Sequence, residues 1–468
     1  MLILEKESEK KLYMQIYEYY KNRILEKGIE ADRPLPSTRR LAGELSVSRN
    51  TVDTAYQQLL AEGYIYSRNK SGYYTADVQS LPSAEKKLSF RACDDTAEED
   101  RMKLPGIDCN FQYGRLEPGA FPVKAWKRIA DRVFRDTASH RITGYTSRTG
   151  EPELKEEIAR YIYESRNAAC EADRIVVCSG LLTMISLLCQ LFMKKTAAIA
   201  IEEPCYDTVR NIFGNHGYDI DPVPVTKDGL DMDVLEKSRA RLLYITPSHQ
   251  FPTGRVISAG NRVRLLKWAE QNDAYIIEDD YDSEYRYTSR PISPLYSLDV
   301  SGRVIYVNTF SKALAPSLRM GFMVLPEVLK RQYDDMFSHY SCTVPLLTQL
   351  ETAEFMASGQ WSRHLRRISM RNRQKHDLLV KELEKNMGDR VCIIGSGAGL
   401  HFLLKVFNGM DEEQLIASAA EEGVKVYPVS QYYSSTPLCC DTVLAGFSSV
   451  SPEQIPEGAA GLRRAWLG

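Results

Sequence analysis

From about residue 108 onward, short apolar runs alternate with longer stretches of helical periodicity, and no other feature limits the fold as strongly. RIVVCSG leads into LLTMISLLCQLF, RVRLLKWAEQND leads into AYIIEDD, and AAIAIEEP, RLLYITP and RVIYVNTFSK are further apolar runs with polar ends. Apolar strands separated by helices predict a mostly parallel sheet with both faces covered, an α/β fold. Ligands of such sheets bind beyond the carboxyl ends of the strands. After about residue 340 a long basic helix pattern (WSRHLRRISMRNRQKHDLL) precedes strand-like VCIIGSG, GLHFLLKV and VKVYPVS, which read as a smaller α+β lobe. The expected division is a large lobe over about 108–335 and a small C-terminal lobe over about 336–468.

The first 75 residues are of another kind. Residues 10–27 carry Leu12, Ile16, Tyr19, Tyr20 and Ile24 at helical spacing, and Gly28 ends that helix. Ser37 can cap a second helix near 38–45, and Ser48 a third near 49–62, before Gly63. YIYS, the turn-like RNKSG and YYTA then read as a hairpin. Three helices and a hairpin suit a winged helix-turn-helix over residues 1–75. In the third helix Arg49, Asn50 and Thr51 form the first turn, where side chains reach bases or phosphates in a major groove. Arg49 suits guanine, and Asn50 suits adenine or phosphate. Ser37 and Arg39 would stand at the start of the second helix, and Arg68, Lys70 and Gly72 in the wing. Residues 33–72 hold six cations (33, 39, 40, 49, 68, 70) against three acids (44, 53, 62), a local +3 that suits a nucleic-acid partner. Residues 76–107 are polar, bracketed by Pro82 and Pro105, and read as a flexible linker with a coil dimension of roughly 30 Å.

Bulk composition restricts the function less. A chain of 468 residues suggests two or more domains, and 43% hydrophobic residues are enough for a large core. The formal net charge of -2 gives no nucleic-acid signal over the whole chain. Residues 1–6 show no secretory pattern, and the longest apolar run, 180–193, is too short to span a bilayer. The 10 cysteines lack CxxC pairs or His partners at ligand spacing, so no metal site is expected, and reduced thiols in a cytoplasmic protein are.

The strand ends carry the chemistry. In AYIIEDDYDSEY, Asp279 closes an apolar run and Tyr281 follows at period two, pointing the same way in extended chain. Lys312 follows RVIYVNTF and should reach the same rim, where a desolvated lysine has a lowered pKa and forms Schiff bases. Arg319 on the same loop suits a phosphate dianion, with Thr309 and Ser311 donating hydroxyls. In CSGLL, Gly180 and Leu181 open a helix whose backbone N–H groups suit phosphate, and in EEPCY, Tyr206 can stack on a flat ring. Together these imply pyridoxal 5′-phosphate: its aldehyde on Lys312, its ring nitrogen at Asp279, its phenolate oxygen near Tyr281 and its phosphate at Arg319.

Residues 108–468 resemble fold-type I aminotransferases through GYTSRTGEPELKEEIARYI, SHQFPTG, IEDDYDSEYRY, NTFSKALAPSLRMGF and AGLHFLL. Residues 8–76 resemble the GntR-type winged helix through LPSTRRLAGELSVSRNTV, YQQLLAEGYI and SGYY. The fusion is similar to MocR-type transcriptional regulators over nearly the whole chain. The resemblance implies Lys312 as the aldimine lysine, ring contacts from Asp279 and Tyr281, and Thr309, Ser311 and Arg319 around the phosphate. It also implies operator DNA as partner and a head-to-tail homodimer with each DNA-binding head over the partner's body. Three departures stand out. Leu181 and Leu182 stand where relatives often have a small residue and glutamine after the glycine. Phe251 stands where aminotransferases place asparagine, so it inherits no role. No arginine lies between His401 and Leu462, which removes the carboxylate clamp of that lobe. The expected function is a non-enzymatic, ligand-responsive regulator sensing pyridoxal phosphate itself, an amine or an amino acid through Lys312. An active aminotransferase with an accessory DNA-binding domain is the alternative.

Overall fold

A computed structural model describes the chain except residues 1, 6, 7, 9, 27, 70, 79–105, 289–291 and 435–440. Lys70, Arg290 and most of the segment read as a linker thus lie outside the described residues. The chain divides into two compact units, Met1–Thr96 and Ala97–Gly468.

The first unit is built from α1 (Leu12–Leu25), α2 (Thr38–Leu45), α3 (Arg49–Ala61) and the antiparallel hairpin β1 (Ile65–Arg68) and β2 (Gly72–Thr75). Its core joins Ile16, Tyr20 and Ile24 of α1 to Leu41 of α2, Val52, Tyr56 and Leu59 of α3, and Ile65 of β1. The buried Tyr56 hydroxyl donates to the Pro36 carbonyl at 3.0 Å, which satisfies the one polar atom this ring carries into the core. Both serines cap as their sequence positions predict: Ser37 Oγ accepts from the Arg40 N–H at 3.2 Å, and Ser48 Oγ from the Thr51 N–H at 3.1 Å. Replacing Ser48 with alanine removes one such bond from an exposed helix start. A loss of about 1 kcal/mol in stability of this unit is expected, read as a lower midpoint for its unfolding step in full-length protein.

The second unit adds β3 (Cys109–Asn110), β4 (Ile175–Cys178), β5 (Ala198–Glu203), β6 (Asp219–Thr226), β7 (Gly229–Leu230), β8 (Leu242–Ile245), β9 (Tyr275–Asp279), β10 (Val304–Thr309) and β11 (Gly321–Val324). Eight of these strands form one sheet in the order β4-β11-β10-β9-β8-β5-β6-β7. The centre from β10 to β6 is parallel, while β11 runs antiparallel to both its neighbours. Alternation distributes each strand between two cores: Ile276, Val304 and Tyr306 enter one, and Ile277, Ile305 and Val307 the other. This two-sided burial is why the strands read as continuous apolar runs.

The C-terminal lobe holds β12 (Val391–Ile394), β13 (His401–Val406), β14 (Val424–Lys425), β15 (Tyr427–Pro428) and β16 (Thr442–Gly446), with an antiparallel sheet in the order β12-β13-β16-β15. Residues near 109, placed by sequence at the start of the large lobe, pack here instead. β3 pairs with β14, and Cys109 and Phe111 enter the core of this lobe. A two-residue strand has no periodicity to read. The 28-residue helix Gln360–Met387 belongs to both lobes: Trp361 lies in a large-lobe core, while Ile368, Leu379 and Met387 lie in that of the small lobe. Among the described residues no helix is long and apolar enough to cross a membrane, and no group of His, Cys, Asp and Glu is placed to hold a metal ion. The described cysteines are free thiols.

Candidate functional site

The sheet order brings three strand ends together. β9 lies between β10 and β8, so Asp279 at the end of β9 is flanked by the loop after β10 and by Tyr244 of β8. That loop returns to the antiparallel β11 and carries Ser311, Lys312 and Arg319. A cavity of about 190 Å³ opens at this rim, and Lys312, Asp279, Tyr281, Tyr206, Thr309, Ser311, Arg319 and Leu181 all line it.

Asp279 is 3% exposed. Its Oδ2 accepts a hydrogen bond from the Tyr244 hydroxyl at 2.6 Å, while Oδ1 is buried with no partner among the described residues. Burial pushes this carboxyl up to about 7, against the opposing effect of the Tyr244 bond. A buried carboxylate oxygen without a donor is costly, and a ligand N–H would complete it. Lys312 Nζ lies 3.4 Å from the Gly114 carbonyl oxygen and 4.4 Å from the Tyr113 ring centroid. Burial pushes the amine down to about 8, with Asp282 and Asp279 partly opposing. About half of it is therefore an unprotonated nucleophile at mildly basic pH. Gly114 takes φ 97°, a conformation that favours glycine, and a Cβ there would stand 2.9 Å from Nζ.

Tyr281 lines the cavity, but its hydroxyl is not held by the neighbouring carboxylate. It donates to the His249 carbonyl at 2.9 Å and lies 3.1 Å from His249 Nδ1, which in turn lies 2.8 Å from Asp282 Oδ2. The period-two relation places the two side chains in one cavity without predicting this anchor.

The other end of the cavity suits an anion. Gly180 caps the helix Leu181–Phe192 at φ 90°, and no side chain occupies the cap. A Cβ there would lie 3.3 Å from Arg319 Nη2, so the missing side chain leaves room for the guanidinium at the helix start. Arg319 itself takes the left-handed φ of 48°, unusual for a non-glycine residue. First-turn N–H groups, a guanidinium and the hydroxyls of Thr309 and Ser311 together suit a phosphate-sized anion.

Sequence reasoning missed Tyr244, Tyr113 and Phe251. Tyr244 in RLLYITP reads as a core residue, and only the strand order reveals its bond to Asp279. Phe251 is 3% exposed and lines the cavity.

On the first unit, Arg39, Arg49 and Asn50 are exposed, Thr51 is partly buried, and Ser48 sits at the cap. Arg40 is bonded to Glu44 at 2.8 Å. Arg68 is less free than its sequence position suggests: it pairs with Asp32 at 3.3 Å and lies over the Tyr74 ring at 4.4 Å. Gly72 opens β2 at φ 101°.

Residues 114–443 match the aminotransferase class I and II family, and residues 12–74 match the gntR family of bacterial regulatory proteins. The chain is 37% identical to the uncharacterized HTH-type transcriptional regulator YdeL of Bacillus subtilis (strain 168), over 97% of this chain and 96% of that protein. It is 34% identical to the probable rhizopine catabolism regulatory protein MocR of Rhizobium meliloti, over 100% of this chain and 96% of that one. Among solved structures it is similar to LysN, the alpha-aminoadipate aminotransferase of Thermus thermophilus, complexed with N-(5′-phosphopyridoxyl)-L-leucine. That match has 26% identity and a TM-score of 0.68, over 78% of this chain and 94% of that one.

Proposed function

The chain belongs to the MocR-type transcriptional regulators, a GntR-type DNA-binding domain joined to an aminotransferase class I and II domain, and from that premise we propose that it senses a small molecule through pyridoxal 5′-phosphate held at the Lys312–Asp279 rim. It is a regulator rather than an enzyme, as its full-length relatives are named. The observation that carries the cofactor reading is Asp279, whose buried Oδ1 lacks a donor among the described residues in the same cavity as a lysine with a lowered pKa.

When bound, pyridoxal phosphate supplies an aldehyde that condenses with amines and a ring that draws electrons while its nitrogen is protonated. Asp279 would accept the ring N–H and keep that proton in place, with Tyr244 fixing the carboxylate's other oxygen. Lys312 supplies the amine. Tyr281 offers its phenol to the ring oxygen while His249 holds it. Arg319, Thr309, Ser311 and the helix start at Gly180–Leu181 hold the phosphate, and Tyr206 bounds the ring. Arg49 and Asn50 read operator bases, with Arg39 and the wing on phosphates. Homodimer formation is part of the same reading. Phe134, Ile142 and Tyr145 are 62%, 40% and 97% exposed, apolar surface of a kind that a second copy would cover. A cytoplasmic location follows for a protein that binds operators.

The test is a titration of full-length protein with pyridoxal phosphate, following visible absorbance and operator binding together. A saturable band with a changed operator affinity is expected. Absence of the band at millimolar cofactor would remove the sensing role. In the same assay Arg49→Ala is expected to weaken operator binding by about 1–3 kcal/mol while sparing the band.

A further inference from the structure

One wall of the cavity is aromatic, and this bears on what the sensed molecule is. Phe251 lies at its centre, with ring centroids of Tyr432 at 4.8 Å, His401 at 5.1 Å, Tyr113 at 5.3 Å and Tyr206 at 5.7 Å. Leu403, Val429 and Leu444 of the C-terminal lobe back it with aliphatic surface. Lys312 Nζ points at this wall, over the Tyr113 ring. Any molecule brought to that nitrogen therefore extends against rings and methyl groups.

Charge at the wall is equally informative. Among the described residues lining the cavity the cations are Lys312 and Arg319: the phosphate commits Arg319, and burial holds Lys312, even when released from the aldehyde carbon, toward its neutral amine. Neither imidazole behind the wall supplies a replacement. His401 donates from Nε2 to the Pro252 carbonyl at 3.0 Å, and burial pushes it down to about 3, so it stays neutral. His249 already faces the Asp282 carboxylate. Asp279 and Asp282 place negative charge on the same side of the site. A carboxylate carried to this wall would lose its water without an ion partner, while an aromatic body would gain stacking and burial.

Resting on the proposed cofactor site, we propose that the effector is a primary amine with an aromatic or bulky apolar body and no carboxylate next to the amine, an aryl-alkyl amine rather than an amino acid. Its nitrogen takes the place of Lys312 Nζ at the aldehyde carbon. One C–N double bond is exchanged for another, the two amine hydrogens pass to the lysine, and no water or oxidant is consumed. The amino acid of the same skeleton makes the same exchange but leaves an unpaired carboxylate at Phe251.

Phenethylamine and phenylalanine differ by that carboxylate alone. Full-length protein loaded with pyridoxal phosphate is titrated with each, reading the visible spectrum and the thermal midpoint. Half-maximal change is expected at an amine concentration at least about tenfold below that for the amino acid, the ratio that about 1.4 kcal/mol of unpaired charge produces. Equal potency, the reverse order, or no response to phenethylamine overturns the inference. A normal cofactor band in those cases leaves the cofactor site standing, whereas failure to form the band removes both.

Discussion

Replacing Lys312 by alanine is expected to abolish the visible cofactor band and the effector response while leaving basal operator binding intact. The expectation follows from position and chemistry together. Lys312 is the amine at the rim, half-buried, shifted toward its neutral form and set against Tyr113 and the Gly114 carbonyl. Phosphate and ring contacts from Arg319 and Asp279 remain, so pyridoxal phosphate should still bind, though at least about tenfold more weakly for loss of the covalent link. Among the described residues the DNA-binding unit has its own core around Tyr56 and Ile16. Operator affinity without cofactor should therefore stay within a factor of about two, a shift under about 0.5 kcal/mol. A Lys312→Ala protein that answers the effector normally would refute the sensing role of this residue. The substitution also carries a stability signature. The folded pKa near 8 lies below the unfolded value, so the unfolded chain binds more protons between about 8 and 10.5. Wild-type cofactor-free protein should gain stability as pH rises through that window, and the alanine variant should lose that slope.

Asp279→Asn should separate cofactor affinity from stability. The native carboxyl titrates near 7 because burial opposes its charge, far above its value in the unfolded chain. Between roughly pH 4 and 7 the folded state then binds the extra proton, and cofactor-free protein loses stability as pH rises through that range. Asparagine keeps the acceptor for Tyr244 but carries no charge. Its cofactor-free form should match wild type below about pH 4, and its stability advantage should widen by on the order of 2 kcal/mol between pH 5 and pH 8, within the ~1.4 kcal/mol per unit that a raised pKa allows. Affinity for pyridoxal phosphate should fall by roughly 10- to 100-fold, because a charge-assisted bond to a ring N–H is lost. Urea unfolding at the two pH values and a spectral titration read both effects. Unchanged cofactor affinity would show that Oδ1 faces something other than the ring nitrogen.

Much of this site is readable before any coordinates because strands announce their own ends. IIED and VIYVNTF stop being apolar where the sheet stops, which places Asp279 and Lys312 on one rim. The serine caps of α2 and α3 are equally local, a hydroxyl three residues before the N–H it accepts. What the sequence hides depends on neighbours. Tyr244 reaches Asp279 only because β8 lies beside β9. Tyr113 comes from a segment remote in sequence, and its proximity to Lys312 is a product of tertiary folding. Phe251 carries no signal of its own because it departs from the aminotransferase pattern, although that departure makes the wall aromatic. Arg68 carries the charge expected of a wing, but Asp32, more than thirty positions earlier, engages it.

The helix Gln360–Met387 is a beam with one end clamped in each lobe. At 28 residues it spans about 42 Å. Tilting such a beam by about three degrees at one end carries the other through about 2 Å, the scale on which packed interfaces switch between arrangements. A ligand that merely reseats the aromatic wall thus has mechanical advantage available without any element having to unfold.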